Sequence, residues 1–191
     1  MTKRAEGKTL AILAADGFEE VELTSPKEAI ENAGGKTVIV SLEHGEVEAN
    51  QHRKHGMKIA VDKTLDEVKA EDFDAILIPG GLFSPDTLRT QQKALNFVSA
   101  FFEQKKPVFS ICHGPQVLIS ANLVNGRKVT GFKAIQQDLK NAGGIVSDEP
   151  VVVDKGLVTS RNPDDLGAFN DKIVEEICEG KHDGQRESVA A

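Results

Sequence analysis

The sequence predicts an α/β fold in which a mostly parallel sheet carries helices on both faces. Short apolar runs alternate along the chain with longer amphipathic stretches, which is typical of strands that alternate with helices. The first four apolar runs are nearly continuous, as expected for parallel strands that are buried on both faces. A length of 191 residues fits one such domain with a well-buried core.

The individual elements follow from these patterns in chain order. Helical spacing of apolar residues predicts helices over Val21–Ala33, Ala94–Phe102 and Gln116–Leu123. A turn containing Gly156 inside the last apolar run predicts a hairpin. The polar stretch over residues 43–58 has no periodicity and is interpreted as a surface loop. The predicted strands are Leu10–Ala15, Thr37–Leu42, Ala75–Ile78, Val108–Ile111 and Val151–Ser160.

Polar residues and glycines mark where helices begin and end. Thr64 followed three residues later by Glu67 has the pattern of a capping box. Asn162, followed by a proline and two acids, indicates a second helix start. The tetrapeptide Asn-Ala-Gly-Gly occurs twice, and its first glycine, Gly34 or Gly143, is predicted to end a helix in the left-handed conformation.

Composition and charge limit the class of protein. Thirty acidic against 23 basic residues give a formal net charge of −7, which argues against a nucleic-acid partner. Two cysteines are too few for a disulfide framework and fit the reducing cytoplasm. The first apolar run ends at Asp16 and is too short for a secretion signal or a membrane span. We expect a cytoplasmic protein with an N-terminal tail (1–7), one domain (8–179) and a flexible C-terminal tail (180–191).

The segment from Ser110 to Pro115 carries the most specific chemical signal. Cys112 lies where a buried strand must turn sharply into a helix, and Gly114 and Pro115 suit such a turn. This is the arrangement of a nucleophile elbow. Free backbone N–H groups and the helix dipole there favour the thiolate, which is the reactive form. We therefore predict a reactive Cys112, with His113 as a base or proton donor.

The second cysteine is predicted to be inert. Cys178 lies late in a helical run among Glu175, Glu176 and Glu179. Their negative charges disfavour a thiolate at this position. A buried cysteine without reactivity is also the commoner situation in proteins, so only the elbow sequence sets Cys112 apart.

Two further strand ends are expected at the same edge of the sheet as Cys112. Glu19 and Glu22 follow the first strand and lie on one helical face. A carboxyl group beside a thiolate must keep its proton and donate a hydrogen bond, although acids at a helix start also simply face the dipole. Gly80 and Gly81 follow the third strand, and their backbone N–H groups can hold an oxyanion.

Four segments of the chain together resemble the DJ-1/PfpI family, most closely its PfpI-like branch of bacterial and archaeal stress proteins. The resemblance covers roughly residues 8–177, and Cys-His-Gly-Pro is its most specific element. It implies a flavodoxin-like α/β sandwich of the class I glutamine amidotransferase-like superfamily, a cysteine nucleophile, and homodimers that can assemble further. The segments are Asp16–Glu22, Pro79–Gly81, Ser110–Pro115 and Thr159–Leu166.

The resemblance implies a role for each matching site residue. Cys112 is the nucleophile and His113 its partner, while Glu22 is the carboxyl group that hydrogen-bonds the sulfur. Gly81, with the backbone N–H of His113, forms the oxyanion site, and Gly80 lies beside it.

Two acidic residues complete this set. Asp86 falls where PfpI-like members place an acid that reaches the histidine of a neighbouring subunit, although some members carry Glu there on a loop of different length. Glu19 is an acid shared with close relatives.

Three activities stay open at this point. The first is a stress-response cysteine enzyme, free of cofactors, that acts on reactive carbonyls or glycated substrates in a glyoxalase III or deglycase reaction. The second is a cysteine peptidase or amidase that uses the same Cys-His-acid set. The third is a redox sensor or chaperone that works through oxidation of Cys112.

Other site types are not expected. His44, His52 and His55 lie among glutamates, but solvated loop histidines are far commoner than zinc sites, so no metal is predicted. No G-x-G-x-x-G follows the first strand, which excludes a dinucleotide fingerprint. A glutamine amidotransferase needs a later His and Glu on one strand, and the only later histidine is His182, in the polar tail.

Overall fold

The computed structural model describes residues 4–51 and 54–188, and strands alternate with helices through both ranges. The strands are β1 (Thr9–Leu13), β2 (Phe18–Glu19), β3 (Lys36–Ser41), β4 (Glu46–Gln51), β5 (Lys54–Ala60), β6 (Lys63–Thr64), β7 (Ala75–Ile78), β8 (Val108–Ile111), β9 (Lys128–Val129), β10 (Ile145–Val146), β11 (Val151–Asp154) and β12 (Leu157–Ser160). The helices are α1 (Glu20–Asn32), α2 (Phe83–Leu88), α3 (Gln92–Glu103), α4 (Pro115–Ser120), α5 (Gln136–Asn141) and α6 (Leu166–Glu179). Short 3-10 helices cover Ala70–Asp72, Lys133–Ile135, Pro163–Asp165 and Asp183–Ser188.

Seven strands form the central sheet in the order β11-β12-β8-β7-β1-β3-β6. Its pairings are parallel except for β11 with β12, which are antiparallel with Val151 opposite Ser160. The mostly parallel sheet and the final hairpin are therefore confirmed. Because β8, β7 and β1 are neighbours, the loops after their carboxyl ends meet at one edge of the sheet.

Helices cover both faces of this sheet, as predicted. On one face α3 packs against β7 and β8, and Phe97 and Phe101 are buried beside Ile76. On the other face α1 packs against α6, which buries Phe169 and Ile173 in a second core cluster. Each fully buried side chain of this size stabilises the fold by roughly 2 kcal/mol. The two clusters hold the strand ends of the site in fixed positions.

The segment predicted as a surface loop over residues 43–58 contains two strands instead. The strands β4 and β5 pair antiparallel, and β2 joins them in a three-stranded sheet. Val47 and Ala49 are buried, whereas Glu46 is exposed and Glu48 is half-buried. This alternation is the strand signal. It is short and lies among charged residues, so the sequence pattern did not reveal it.

The predicted histidine cluster in this segment falls partly outside the described residues. His52 and the side chain of His55 lie outside the described part of the structure. His44 is exposed and lies 3.3 Å from Glu67 in an ion-pair contact between its Nε2 and a carboxylate oxygen. The expectation that no metal binds among these histidines stays a prediction.

Most of the predicted helix boundaries agree with the structure. Gly34 and Gly143 have φ angles of 90° and 86° after α1 and α5, and Asn162 Oδ1 accepts the N–H of Asp164 at 2.9 Å. Helix α4 ends at Ser120, earlier than predicted, because Asn122 adopts a left-handed conformation with φ 58°.

The capping box has the predicted bond but starts no helix. The N–H of Thr64 donates to Glu67 Oε2 at 2.8 Å. Thr64 is the last residue of β6, and a turn follows it. The hydrogen bond therefore stabilises a turn after a strand.

The segment after α6 packs against the domain, in contrast to the flexible tail predicted from residue 180. Residues 183–188 form a 3-10 helix, and Gln185 is fully buried. Arg127 donates to Gln185 Oε1 at 2.7 Å, and Gln185 Nε2 donates to the carbonyl of Lys106 at 3.1 Å. These partners are far apart in sequence, so local composition did not reveal them. Among the described residues, the helices are too short or too polar to cross a membrane.

Candidate active site

Cys112 lies at the turn between β8 and α4 in a conformation that few side chains adopt. Its φ angle is +60°, a left-handed geometry that costs on the order of 1–3 kcal/mol for a residue other than glycine. Two backbone hydrogen bonds hold it there: its N–H donates to the carbonyl of Ser160 at 3.0 Å, and its carbonyl accepts from Phe132 N–H at 2.9 Å. The nucleophile-elbow geometry predicted from the sequence is present.

The glycine of the elbow is required by close packing. A Cβ atom on Gly114 would lie 2.5 Å from the carbonyl oxygen of Ile78 and from Oγ of Ser110. Such contacts do not occur in real structures, so any larger residue would push the turn away from β7. Pro115 follows as the first residue of α4, where its missing N–H is not needed.

The Cys112 sulfur meets groups from all three predicted strand ends. The backbone N–H groups of Gly81 and His113 donate to it, and the Glu22 carboxyl shares a hydrogen bond with it. Nδ1 of His113 lies 3.3 Å from Sγ. Glu22 Oε2 also accepts the N–H of Gly80 at 2.9 Å. The structure therefore brings together these five residues from three segments that are widely spaced in the sequence.

Glu22 is fully buried, and this fixes its protonation. Burial raises the pKa of its carboxyl from 4.5 to about 8; hydrogen bonds from Cys112 and from Gly80 N–H oppose the rise, and the charge of Glu19 adds to it. At neutral pH the carboxyl therefore keeps its proton and can donate it in a hydrogen bond to the sulfur. This agrees with the expectation that an acid at this position stays neutral.

The acidity of the thiol differs from the prediction. Burial raises the pKa of Cys112, and an ionised Glu22 raises it further, while the N–H groups of Gly81 and His113 lower it. The backbone N–H groups favour the thiolate as expected, but the loss of solvation at the sulfur, on a residue only 7% exposed, outweighs them. A thiolate therefore needs both a protonated Glu22 and a nearby group that accepts the thiol proton.

His113 can accept that proton. Its ring is buried and stacks on Phe132, with 4.8 Å between ring centroids and 28° between planes. Burial lowers the pKa of the imidazole, so the ring is neutral at pH 7. A neutral ring 3.3 Å from the sulfur is available as a base.

Comparison with known proteins shows the family to which this chain belongs. The model of the DJ-1/PfpI family matches residues 8–176. The chain belongs to the DJ-1/PfpI family. YraA of Bacillus subtilis, which carries the provisional name of cysteine protease, is 52% identical over 163 residues, covering 85% of this chain and 94% of that one. SSP0918 of Staphylococcus saprophyticus, named as uncharacterised, is 48% identical over 172 residues, covering 89% and 98%.

Solved structures of DJ-1/PfpI proteins share the fold. A two-domain protein from Anabaena variabilis with DJ-1/ThiJ/PfpI-like and ferritin-like domains matches with a TM-score of 0.84 and 37% identity over 89% of this chain. This chain spans about half of that protein, 48% of its length. DJ-1β of Drosophila melanogaster matches with a TM-score of 0.81 and 26% identity, covering 100% of this chain and 96% of that one. The flavodoxin-like α/β sandwich is therefore confirmed.

The two glycines of this DJ-1/PfpI site are needed because backbone and side chains approach them closely. A Cβ atom on Gly80 would lie 2.6 Å from Cβ of Cys112. Gly81 has φ +88°, and a Cβ there would lie 2.6 Å from the backbone nitrogen of Glu19. The N–H groups of these glycines therefore reach Glu22 and the sulfur without obstruction.

The remaining predicted site residues lie further from the sulfur. Glu19 is half-buried, and its backbone N–H donates to the carbonyl of Gly80 at 3.2 Å. Its negative charge raises the pKa of Glu22. Asp86 is exposed in the first turn of α2. Its proposed reach to a second subunit is not visible within one chain. Cys178 is half-buried, and its thiol donates to the carbonyl of Arg4 at 3.1 Å.

Two residues of the site were missed in the sequence. Phe132 stacks on His113 and hydrogen-bonds the Cys112 backbone, and Ser84 is buried and accepts Ala15 N–H at 3.0 Å through its Oγ. Ser84 thereby ties α2 to the end of β1. The sequence signal for Phe132 was a large apolar side chain directly after Gly131. Its stacking partner, His113, is 19 positions away in sequence, so the signal did not indicate the contact.

Proposed function

We propose that this DJ-1/PfpI protein is a cytoplasmic, cofactor-free cysteine enzyme that acts on reactive carbonyls. Its substrates would be methylglyoxal and glyoxal, or their early adducts on amines and thiols, in a glyoxalase III or deglycase reaction. One observation carries the proposal: a buried thiol touches both a protonated carboxyl, Glu22, and a neutral imidazole, His113. Carbonyl addition followed by internal proton transfer needs one proton donor and one acceptor at the same sulfur.

The first step joins the sulfur to the aldehyde carbon. The thiol proton of Cys112 passes to Nδ1 of His113, and the thiolate attacks the carbonyl carbon. A C–S bond forms while the π electrons move to oxygen. The N–H groups of Gly81 and His113, which hold the sulfur in the resting state, would hold this oxyanion. The imidazolium then returns its proton to the oxygen, which gives a hemithioacetal.

The second step moves a proton within the adduct. His113 removes the C–H proton of the hemithioacetal carbon, and the neighbouring ketone oxygen takes the Glu22 proton, which gives an enediol. His113 then protonates the second carbon, and Glu22 recovers its proton from the first hydroxyl to leave a thioester. Water hydrolyses the thioester to a 2-hydroxy acid and the free thiol. The sum is methylglyoxal plus water to lactate, so no external oxidant is consumed.

We extend the proposal to a homodimer, with higher homo-oligomers where dimers assemble. Asp86 would then reach His113 of a second copy and stabilise its imidazolium form. Two observations support this extension: Asp86 is exposed, and the exposed apolar side chains Leu82 and Phe83 begin the same helical segment. An acid added from outside would raise the basicity of a histidine that burial makes less basic.

A cysteine peptidase or amidase is the second candidate, because YraA carries that provisional name. The same thiol and imidazole can form an acyl-enzyme. The 7% exposure of Cys112 favours a small carbonyl compound over a polypeptide, since a peptide must bring its scissile carbonyl to within bonding distance of the sulfur.

A parallel turnover assay distinguishes the enzyme for reactive carbonyls from the peptidase or amidase. The full chain is incubated with methylglyoxal, glyoxal, a glycated thiol and a peptide mixture, and products are quantified by chromatography. We expect lactate from methylglyoxal, a loss of at least about 1,000-fold in Cys112→Ala, and full activity in the matched Cys178→Ala variant. Equal lactate formation by Cys112→Ala would overturn the nucleophile assignment. Cys112-dependent peptide cleavage without carbonyl turnover would establish the peptidase.

A further inference from the structure

Three side chains of the metal-ligand type converge at the C-terminal end of α6, outside the proposed active site. They are Glu176, Glu179 and His182, and one ligand atom of each lies within 4.8 Å of the other two. Glu176 and Glu179 share a helix face because they are three residues apart. The chain leaves the helix at Gly180, which has φ 86°, and this turn brings His182 back toward both glutamates.

Within the described part of the chain, one buried atom of Glu176 and one of His182 lack a hydrogen-bond partner. Glu176 is 5% exposed, and among the described residues neither its Oε2 nor Nε2 of His182 has a hydrogen-bond partner. These two atoms lie 3.0 Å apart, so they are within ion-pair distance but lack the alignment of a hydrogen bond. A buried carboxylate oxygen without a hydrogen bond is costly, and a cation bound between Oε2 of Glu176 and Nε2 of His182 would offset that cost.

The surroundings favour a positive ion. The end of a helix carries negative partial charge, and the last turn of α6 holds glutamates but no lysine or arginine. Lys172, on the same helix, forms an ion pair with Glu175, with 2.7 Å between its Nζ and Oε2 of Glu175. A metal ion at Glu176 and Glu179 would therefore complement both the dipole and the carboxylates.

The histidine is already positioned by its surroundings. Its backbone N–H donates to the carbonyl of Lys105 at 2.8 Å. Its ring lies against Gly156, where a Cβ atom would come within 2.7 Å of Cδ2. A ligand held in this way loses little conformational entropy when it binds a metal.

We propose that Glu176, Glu179 and His182 form a binding site for one divalent transition-metal ion of the zinc type, with water as the fourth ligand. Imidazole with carboxylates suits zinc or cobalt better than magnesium or calcium, which prefer oxygen ligands alone. Two ligands of a tetrahedral zinc at about 2.1 Å are about 3.4 Å apart, so Glu176 and His182 need to separate by only about 0.4 Å. Glu179 is exposed and free to rotate inward.

The consequence would be a link between α6 and the segment that follows it. His182 lies directly before the 3-10 helix that carries Gln185. A metal bound at His182 would therefore fix the start of this helix, while Arg127 fixes Gln185. We expect zinc to raise the thermal stability of the protein through this link.

The test uses the full chain without an affinity tag, in a Cys112→Ala background. That background removes the sulfur of the active site, where Cys112, Glu22 and His113 together could also bind zinc. Zinc binding is measured by titration calorimetry, and cobalt absorption reports on the coordination geometry. We expect one equivalent of zinc to bind, affinity to fall at least about tenfold in Glu179→Gln and in His182→Gln, and the zinc-dependent rise in melting temperature to disappear in both.

Asp171→Asn is the matched control. It removes one negative charge from the same helix, and Asp171 is exposed and is not one of the three proposed ligands, so zinc affinity should not change. Because Glu179 is exposed, the Glu179→Gln protein should fold normally and give a clear reading even if His182→Gln does not fold. Absence of zinc binding at about 100 μM in the Cys112→Ala protein would overturn the site, as would unchanged affinity in Glu179→Gln.

Discussion

The Glu22 carboxyl and the Cys112 thiol share a hydrogen bond inside the protein, and Gly80 N–H binds Oε2 of the same carboxyl at 2.9 Å. Both groups are buried, so two negative charges cannot exist side by side here. The charge state of the site is therefore a property of the pair. Below the Glu22 pKa of about 8, either both groups are protonated or the single charge rests on the sulfur with Glu22 as its donor; above it, Glu22 is ionised beside a protonated thiol.

The first prediction concerns the alkaline limb of the rate profile. The pKa of Glu22 is raised to about 8, so kcat/KM for methylglyoxal should fall as the pH rises through 8. Glu22→Gln keeps a neutral hydrogen-bond donor but cannot shuttle a proton. We expect about 100-fold lower activity and loss of the fall near pH 8, measured over pH 6 to 9.5.

Glu28→Gln is the control for this profile, since Glu28 is exposed on the same helix. Its rate and pH dependence should match those of the unchanged protein. If Glu22→Gln still loses activity near pH 8, another group is responsible for that limb, and the assigned proton donor is wrong.

The second prediction concerns stability against pH. Between the ordinary carboxyl pKa of 4.5 and about 8, the folded chain holds a proton on Glu22 that the unfolded chain has lost. Unfolding then releases a proton, so the free energy of unfolding falls as the pH rises, by about 1.4 kcal/mol per unit. Glu22→Gln removes this dependence.

Urea unfolding at several pH values checks whether the free energy of unfolding falls as the pH rises. From pH 6 to 7.5 the free energy of unfolding of Glu22→Gln should rise by about 2 kcal/mol relative to that of the unchanged protein. Parallel curves for the two proteins would mean that Glu22 is ionised in the folded state.

The sequence predicted the site geometry well because its signals are local. Uninterrupted apolar runs place β7 and β8, and the glycine at position 114 is required by its close contacts with Ile78 and Ser110. The rule that parallel strand ends meet at one edge then joins Glu22 to Cys112. Each of these inferences needs only a few adjacent residues.

What the sequence did not reveal depends on solvation and on distant partners. The direction of the Cys112 pKa shift follows from how deeply the elbow is buried, and burial is set by the whole domain. Gln185 is buried because Arg127 binds it, and these residues are 58 positions apart. The strand over Glu46–Gln51 has too few apolar residues for its alternation to stand out.

The third prediction tests the N–H group of Gly81. In Gly81→Ala the left-handed backbone is strained, and the new Cβ would meet the Glu19 nitrogen at 2.6 Å, so the N–H that holds the sulfur must move.

Gly126→Ala is the matched control, because Gly126 also has a left-handed φ of +72° but nothing lies within 4 Å of its Cβ position. We expect kcat/KM to fall about 100-fold in Gly81→Ala only. Similar losses in both variants would show that backbone strain alone matters.

The fourth prediction tests whether Asp86 acts between subunits. Cys112→Ala and Asp86→Ala proteins should each be inactive or nearly so. When mixed and allowed to exchange subunits, they should recover roughly a quarter to half of the activity, because a mixed dimer holds one complete site. Native mass spectrometry confirms the exchange. Exchange without any recovery would show that Asp86 does not complete the site of another subunit.

The fifth prediction concerns Arg127, which is 3% exposed and donates to Asp154 Oδ2 at 2.8 Å and to Gln185 Oε1 at 2.7 Å. Its guanidinium also lies over the ring of Phe102, 5.5 Å from the centroid. Arg127→Met keeps most of the volume but leaves the Asp154 carboxylate, 13% exposed, without this partner. Losing one member of a buried pair costs about 3 kcal/mol, so we expect the free energy of unfolding, measured in urea, to fall by about this amount.

Lys128→Met is the control, because it removes a charge at the adjacent exposed position. It should change the free energy of unfolding by less than about 0.5 kcal/mol. Equal effects of the two substitutions would show that the Arg127 contacts add nothing to stability.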